Sequence, residues 1–368
     1  LFATEAHPPR GRVSFVPLSS DDPELLTLKA QRKLQEADVI VHDRENSVGG
    51  DPMYNPSTHT TPIDVQKTSE YIGIDIAPVF HPLMACPFYY HDSRVMAPVT
   101  GIYTVERGDR PTSLDTLLYG IAVEQGVQFA FGSALKKQDL SSLPSNTIIA
   151  CGLTPSAYEM LGVPYLTWYG YVSRGEIGFS NYSWIWWDEG ISEYGYLSSA
   201  NNYYFNLLFS KSPVSRETLE KYKTFMVRNE GVEHDHWQHV TGAVPIARPD
   251  NPRLFKDRLI YCGTISGAMD PFLWFGILGA LVTGKVAALA VYDRPQAMRE
   301  FQRFTRKFRQ AYYFKNKIWY HVRPHVALME KGVSLIGPRT LEKFGIAFLN
   351  KNTHITTSIP GFANIGCY

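Results

Sequence analysis

The chain has 368 residues, 44% hydrophobic and 13% aromatic, enough to bury a large core and to build two or three domains. Its formal charge of +1 supplies neither a basic nor an acidic field, which argues against nucleic acid or any other diffuse polyanion as a partner. Cys86, Cys151, Cys262 and Cys367 are widely spaced with no C-x-x-C pair, which disfavours a disulfide framework or a structural zinc site and points to a reduced, cytoplasmic compartment.

Residues 1–10 hold no basic segment followed by an apolar run, so no signal peptide is expected. Residues 12–43 read as strand, helix and strand, with Leu25, Leu26, Leu28 and Leu34 on one helix face and Asp21, Asp22 and Pro23 at its start. A nucleotide-binding β-α-β unit keeps a glycine-rich phosphate loop at this first turn. Here the turn reads "VPLSSDDPELLTLKA", and no glycine stands between Gly11 and Gly49. Residues 49–100, rich in Pro, Gly, His and Thr, read as mostly loop. A helix is predicted from Thr112 to Gln125, turning at Gly126 into a strand.

From Tyr165 to Phe209 polar and large aromatic residues alternate between glycine turns, the pattern of an antiparallel sheet inserted between two α/β pieces. Residues 215–230 have helical period, 259–262 ("LIYC") form a buried strand, and 273–291 and 296–330 read as helices. The tail, 331–368, is weakly patterned. The stretch from Phe272 to Tyr292 matches the ~20 apolar residues that cross a bilayer. Three glycines, Thr283 and Lys285 interrupt it, so a buried core helix is the preferred reading.

Five segments, in order, resemble the flavin-dependent geranylgeranyl reductases within the hydroxybenzoate-hydroxylase-like flavoproteins. "VIVHDRENSVGG" (39–50) is similar to the family's second strand with its terminal acid, basic residue and Gly-Gly pair. "YTVERGDRPTSLDTLLYGIAVEQGV" (103–127) resembles its arginine-bearing strand and following helix. "TIIACGLTPSAYEMLGVP" (147–164) resembles the "A-T-G" or "A-D-G" segment, with Cys151 in place of Thr or Asp. "NYSWIWW" (181–187) resembles the Y-x-W-x-F-P substrate motif, with Trp186 for Phe and Trp187 for Pro. "RLIYCGTISGAMDPFLWFGILGALVTGKVAA" (258–288) is similar to G-D-A-A-G-x-x-D-P followed by G-I and a long helix; Gly263, Gly267, Asp270, Pro271 and Gly276-Ile277 match, and Thr264 replaces the ribitol-binding Asp.

The resemblance implies an α/β fold, α+β overall. Its parts are a Rossmann-like FAD domain built from discontinuous segments, an inserted antiparallel substrate sheet and C-terminal helices. It implies an FAD-dependent oxidoreductase passing hydride through flavin to an apolar, isoprenoid-like substrate. It places cofactor contacts at Asp43, Arg44, Gly49, Gly50, Arg107, Gly152, Gly263, Thr264, Gly267, Asp270 and Pro271, with Asp43 on the adenosine ribose. It places substrate contacts at Tyr182, Trp184 and Trp186, with core packing of these aromatics as the alternative. The implied domains are 1–100 with 147–164 and 250–295 for the cofactor, 101–146 with 165–249 for the substrate, and 296–368 as a C-terminal helical region.

The first turn departs from that pattern. Asp21, Asp22 and Glu24 stand where backbone N–H groups would meet the FAD pyrophosphate, and their charge disfavours the usual pose. Residues 11–44 are instead similar to the N-terminus of uroporphyrinogen-type tetrapyrrole methyltransferases, closest from Pro23 to Ala30. Three readings remain open: an FAD-dependent reductase, a cofactor-free relative serving as a binding or partner subunit, and a tetrapyrrole-related transferase or fusion.

Three further groups carry candidate chemistry. His234, His236 and His239 have H-x-H-x-x-H spacing, for which a polar cluster is preferred over a metal site. His59 and Thr60 either face cofactor and substrate or are satisfied loop residues. The basic and aromatic run 299–317 reads as a solvated helix face, with peripheral contact to anionic lipid or a protein partner, including a second copy of the chain, as the alternative. No P-loop, G-x-S-x-G or H-E-x-x-H motif is present, which leaves hydrolase and kinase readings without an anchor.

Overall fold

The computed structural model describes residues 13–16, 39–90, 93–97 and 99–322. The glycine-free first turn, its acids and the weakly patterned tail lie outside the described residues. In chain order the strands are β1 (Val13–Val16), β2 (Val39–His42), β3 (Ser57–Pro62), β4 (Phe80–Pro82), β5 (Pro87–Tyr90) and β6 (Ser93–Met96). There follow β7 (Ile102–Arg107), β8 (Gln128–Ala130), β9 (Ile148–Ile149), β10 (Leu166–Glu176) and β11 (Tyr182–Trp187). The last are β12 (Gly195–Ala200), β13 (Tyr203–Ser210), β14 (Gln238–Val244), β15 (Phe255–Lys256) and β16 (Leu259–Tyr261).

They form three sheets. A six-stranded sheet has the order β15-β16-β9-β1-β2-β8, parallel throughout except for the β15/β16 edge pair. A seven-stranded sheet, β14-β10-β13-β12-β11-β5-β6, is antiparallel except between β11 and β5. The third is a small antiparallel sheet, β3-β7-β4. This is the expected α/β architecture, a discontinuous Rossmann-like unit carrying an antiparallel sheet.

Residues 49–100 differ from the loop expected of them. They contain β3 to β6 and a helix, α1 (Val65–Ile72), whose first turn is capped by Asp64 accepting the Lys67 N–H at 3.0 Å. The β-branched residues Thr58, Thr60 and Thr61 favour a strand, and the surrounding Pro and His masked that preference. The segment boundaries shift as well. Helix α2 (Leu114–Glu124) leads into β8, which pairs with β2, so part of 101–146 belongs to the parallel sheet. Strands β5 and β6, from 1–100, extend the large sheet.

Each face of the large sheet is covered. One packs Trp184, Trp186, Leu197 and Leu208 against helix α3 (Arg216–Phe225) through Leu219, Tyr222 and Phe225. The other packs Trp168, Trp187, Phe205 and Phe209 against Phe272 and Leu273. The apolar stretch 272–292 is a core helix, α4 (Ile277–Ala290), buried nearly all round. No helix among the described residues is long and apolar enough to cross a membrane. Helix α4 lies so close to the preceding loop that a Cβ on Gly279 would fall 1.7 Å from the Ala268 carbonyl oxygen, which only glycine allows. In α5 (Arg294–Thr305) and the helical turns after it, Phe301, Phe304 and Phe308 point inward, while Arg299, Arg303, Arg306 and Arg309 are exposed.

Candidate functional site

Three chain segments leave the carboxyl ends of parallel strands together. After β2 comes Asp43, after β9 come Cys151 and Gly152, and after β16 comes the turn Gly263–Ser266. In open α/β sheets this edge is where ligands bind. Asp43 is buried; its Oδ1 accepts the Glu45 N–H at 2.9 Å, and its Oδ2 makes no hydrogen bond among the described residues. Burial pushes its carboxyl up to about 6, so it is ionised at neutral pH. The Gly263 turn is fixed from below by α4, where Thr283 Oγ1 accepts the Gly263 N–H at 2.8 Å and donates to Gly279 O at 2.6 Å.

Several predicted cofactor residues serve the chain itself. Arg44 pairs with Glu45 at 2.6 Å and Asp51 at 3.1 Å. A Cβ on Gly49 would fall 2.3 Å from the backbone of Gly108, so its close approach is to the chain. Gly50 N–H closes a turn onto Ser47 O. Arg107 is buried and held bidentate by Asp115 at 2.8 and 2.9 Å. Asp270 Oδ2 accepts the Leu273 N–H at 2.7 Å, capping the turn that starts at the buried Pro271. Gly267, with φ +81°, lies against the backbone of Asn251 and Pro252.

Between the parallel unit and the large sheet lies a cavity of about 350 Å³. Its walls are Tyr54, His59, Arg107, Trp168, Phe205 and Phe209 on one side, with Thr264, Leu273, Trp274, Gly276 and Ile277 on the other. Of the predicted cofactor residues only Arg107 and Thr264 line it. The predicted substrate residues do not. Side chains alternate along β11, so Ser183, Ile185 and Trp187 face the cavity while Tyr182, Trp184 and Trp186 face the opposite side, against α3. Trp184 donates its indole N–H to Tyr222 there at 3.0 Å, and Tyr182 donates to Glu230 at 2.7 Å.

His59, on β3, is a polar feature of the cavity wall, beside Arg107. Its imidazole stacks on Phe205, and its Nε2 lies 2.9 Å from Ser57 Oγ, whose own proton goes to Asn55 Oδ1 at 3.1 Å. Ser57 therefore accepts, Nε2 carries the proton, and Nδ1 keeps its lone pair. Burial, aided by the nearby Arg107 charge, pulls the imidazole down to about 3, so it is neutral at physiological pH.

Sequence reasoning passed over a second buried cluster. Glu193 accepts from Lys315 Nζ at 2.5 Å and from Tyr320 at 2.6 Å, and Lys315 lies 4.9 Å from the ring of Trp274. Burial pulls the Lys315 ammonium down to about 8. Trp274, which lines the cavity, has φ +61°, uncommon for a bulky residue. The histidine triplet does not converge. His234 stacks on Tyr204 at 3.9 Å, His236 and His239 are exposed, and no group able to hold a metal occurs among the described residues.

The same architecture recurs in solved structures. A geranylgeranyl bacteriochlorophyll reductase-like protein from Thermoplasma acidophilum superposes with a TM-score of 0.63 at 14% identity, over 93% of this chain and 100% of that one. A flavin-dependent halogenase matches with a TM-score of 0.52 at 15% identity, over 86% of this chain and 68% of the other. Klebsiella pneumoniae HpxO, solved with FAD, matches with a TM-score of 0.51 at 11% identity, over 89% and 99%. At these identities the likeness establishes the fold. No family model matches the sequence. A uroporphyrinogen-III C-methyltransferase of Paracoccus denitrificans is 44% identical over 61 residues, in keeping with the local resemblance at 11–44. That match is 17% of this chain, which spans about a fifth (21%) of the curated relative.

Proposed function

We propose that the protein is an FAD-dependent oxidoreductase acting on an apolar substrate held in the cavity. The observation that carries this reading is the shared turn: the Gly263–Ser266 segment leaves the carboxyl edge of the parallel sheet and supplies Thr264 to the cavity wall, opposite the aromatic sheet. A ligand on that edge and a substrate in the cavity would be neighbours.

The residues present fit FAD at two points. The free Oδ2 of buried Asp43 suits ribose hydroxyls at the end of the second strand, and the Gly263 turn suits the ribityl side. Bound FAD would supply hydride-transfer chemistry. The chain would hold the substrate against Phe205, Phe209 and Trp187 and exclude water from the apolar walls. Trp274, braced by Phe209 at 5.0 Å and Lys315 at 4.9 Å, would fix the floor of the site.

A visible spectrum of the purified protein, before and after incubation with FAD and desalting, tests the proposal. Flavin absorption at near-unit stoichiometry supports it. A colourless protein that takes up no FAD refutes it and leaves a cofactor-free binding protein of this fold.

A further inference from the structure

Strand β3 turns Ser57, His59 and Thr61 toward one face, and all three line the cavity, as do Thr60 and Pro62 beside them. Ser57 is spent on holding His59. His59 Nδ1 has no hydrogen-bond partner among the described residues, and the open surface of this half-buried residue lies on the cavity. Thr61 is buried, and its Oγ1 likewise has no partner among the described residues. An acceptor and a hydroxyl, two residues apart on one strand, thus stand unsatisfied in a wall otherwise made largely of aromatic and aliphatic groups. A buried hydroxyl left without a partner is unfavourable and rare, as Thr61 Oγ1 is here, and beside the open Nδ1 it marks where a ligand's polar group belongs.

We propose that this face of β3 is a polar-head subsite: it receives a hydroxyl on an otherwise apolar ligand, the hydroxyl donating to His59 Nδ1 and accepting from Thr61 Oγ1. The Ser57 and Asn55 relay holds the proton on Nε2, so Nδ1 is an acceptor and rejects groups that can only accept. The subsite sorts alcohols from ethers and hydrocarbons of the same length. It deepens the apolar-substrate reading and rests on it, but not on FAD.

Trp168, Trp187, Trp274 and Trp319 all line the cavity, so ligand entry can be read as a change in tryptophan fluorescence of the full chain. The probes are n-decanol, its methyl ether and n-decane. The wild type is expected to bind n-decanol about tenfold more tightly than the ether, the worth of a hydrogen bond made to a buried group. In His59→Phe and in the near-isosteric Thr61→Val, n-decanol is expected to fall toward the ether while the ether itself holds within about twofold. Equal binding of n-decanol and ether by the wild type overturns the subsite and leaves the apolar-substrate reading standing. So does an alcohol preference that survives both substitutions. Failure of all three probes to bind overturns both.

Discussion

Trp184 and Trp187 leave the same strand in opposite directions, Trp184 hydrogen-bonded to Tyr222 behind the sheet at 3.0 Å and Trp187 edge-on to Trp319 at the cavity, 5.4 Å away. The first is core and the second is wall. Trp184→Ala is expected to cost about 3–5 kcal/mol of stability. Trp187→Ala is expected to weaken apolar-probe binding at least severalfold with a smaller stability loss, because it faces an existing void. Chemical denaturation beside fluorescence titration separates the two; equal effects on binding would contradict the assignment of faces.

Asp115 neutralises Arg107 and also accepts the Gly108 N–H at 2.7 Å. Removing one member of a buried pair strands the other, so Asp115→Ala is expected to destabilise the protein by about 3–5 kcal/mol. The double variant Asp115→Ala with Arg107→Met should recover part of that loss. A denaturant series on the single and double variants measures the coupling.

Asp43 should govern FAD affinity. Asp43→Ala is expected to weaken binding by about tenfold to a hundredfold, the cost of losing hydrogen bonds to a charged acceptor. In the wild type the carboxyl takes up a proton as pH falls through about 6, so FAD affinity should drop there while that of Asp43→Ala stays level. Flavin-fluorescence titrations at a series of pH values check both statements.

His59 couples acidity to stability. Its imidazole titrates at about 3 when folded, against 6.5 for the free group. Between those values the unfolded chain binds a proton that the folded chain refuses, so folded stability falls as pH is lowered below 6.5. The slope from this residue is about 1.4 kcal/mol per pH unit. His59→Phe removes it. Relative to that variant the wild type should lose about 2 kcal/mol between pH 6.5 and 5, measured by urea denaturation.

Long periodic elements were legible in the sequence. The helix at Leu114–Glu124, the amphipathic helix at Arg216–Phe225 and the strand at Leu259–Tyr261 fall where their spacing places them. Strand β3 was hidden by composition, since Pro and His around the threonines suggested loop. The substrate wall was read one residue out of phase. A motif identifies a strand, but only its packing partner decides which parity faces the cavity, and the signal here was the apolar stripe Leu219, Tyr222 and Phe225 waiting for Trp184 and Trp186. Lys315 looked like one more solvated base. Its burial depends on Glu193, 122 residues away in sequence, and local pattern carries no trace of such a partner.

Strand β3 does one more thing. Thr58 Oγ1 donates to Ser198 O and accepts the Phe205 N–H at 3.0 Å, and Thr60 Oγ1 donates to Ser198 Oγ at 3.0 Å. The small sheet is thereby riveted to the large one directly behind His59. The two sheets thus make one continuous wall of the cavity, which cannot split along this seam without breaking those bonds. Room for a ligand longer than the resting chamber has therefore to come from the facing wall of Thr264, Leu273 and Trp274, while the seam behind His59 stays shut.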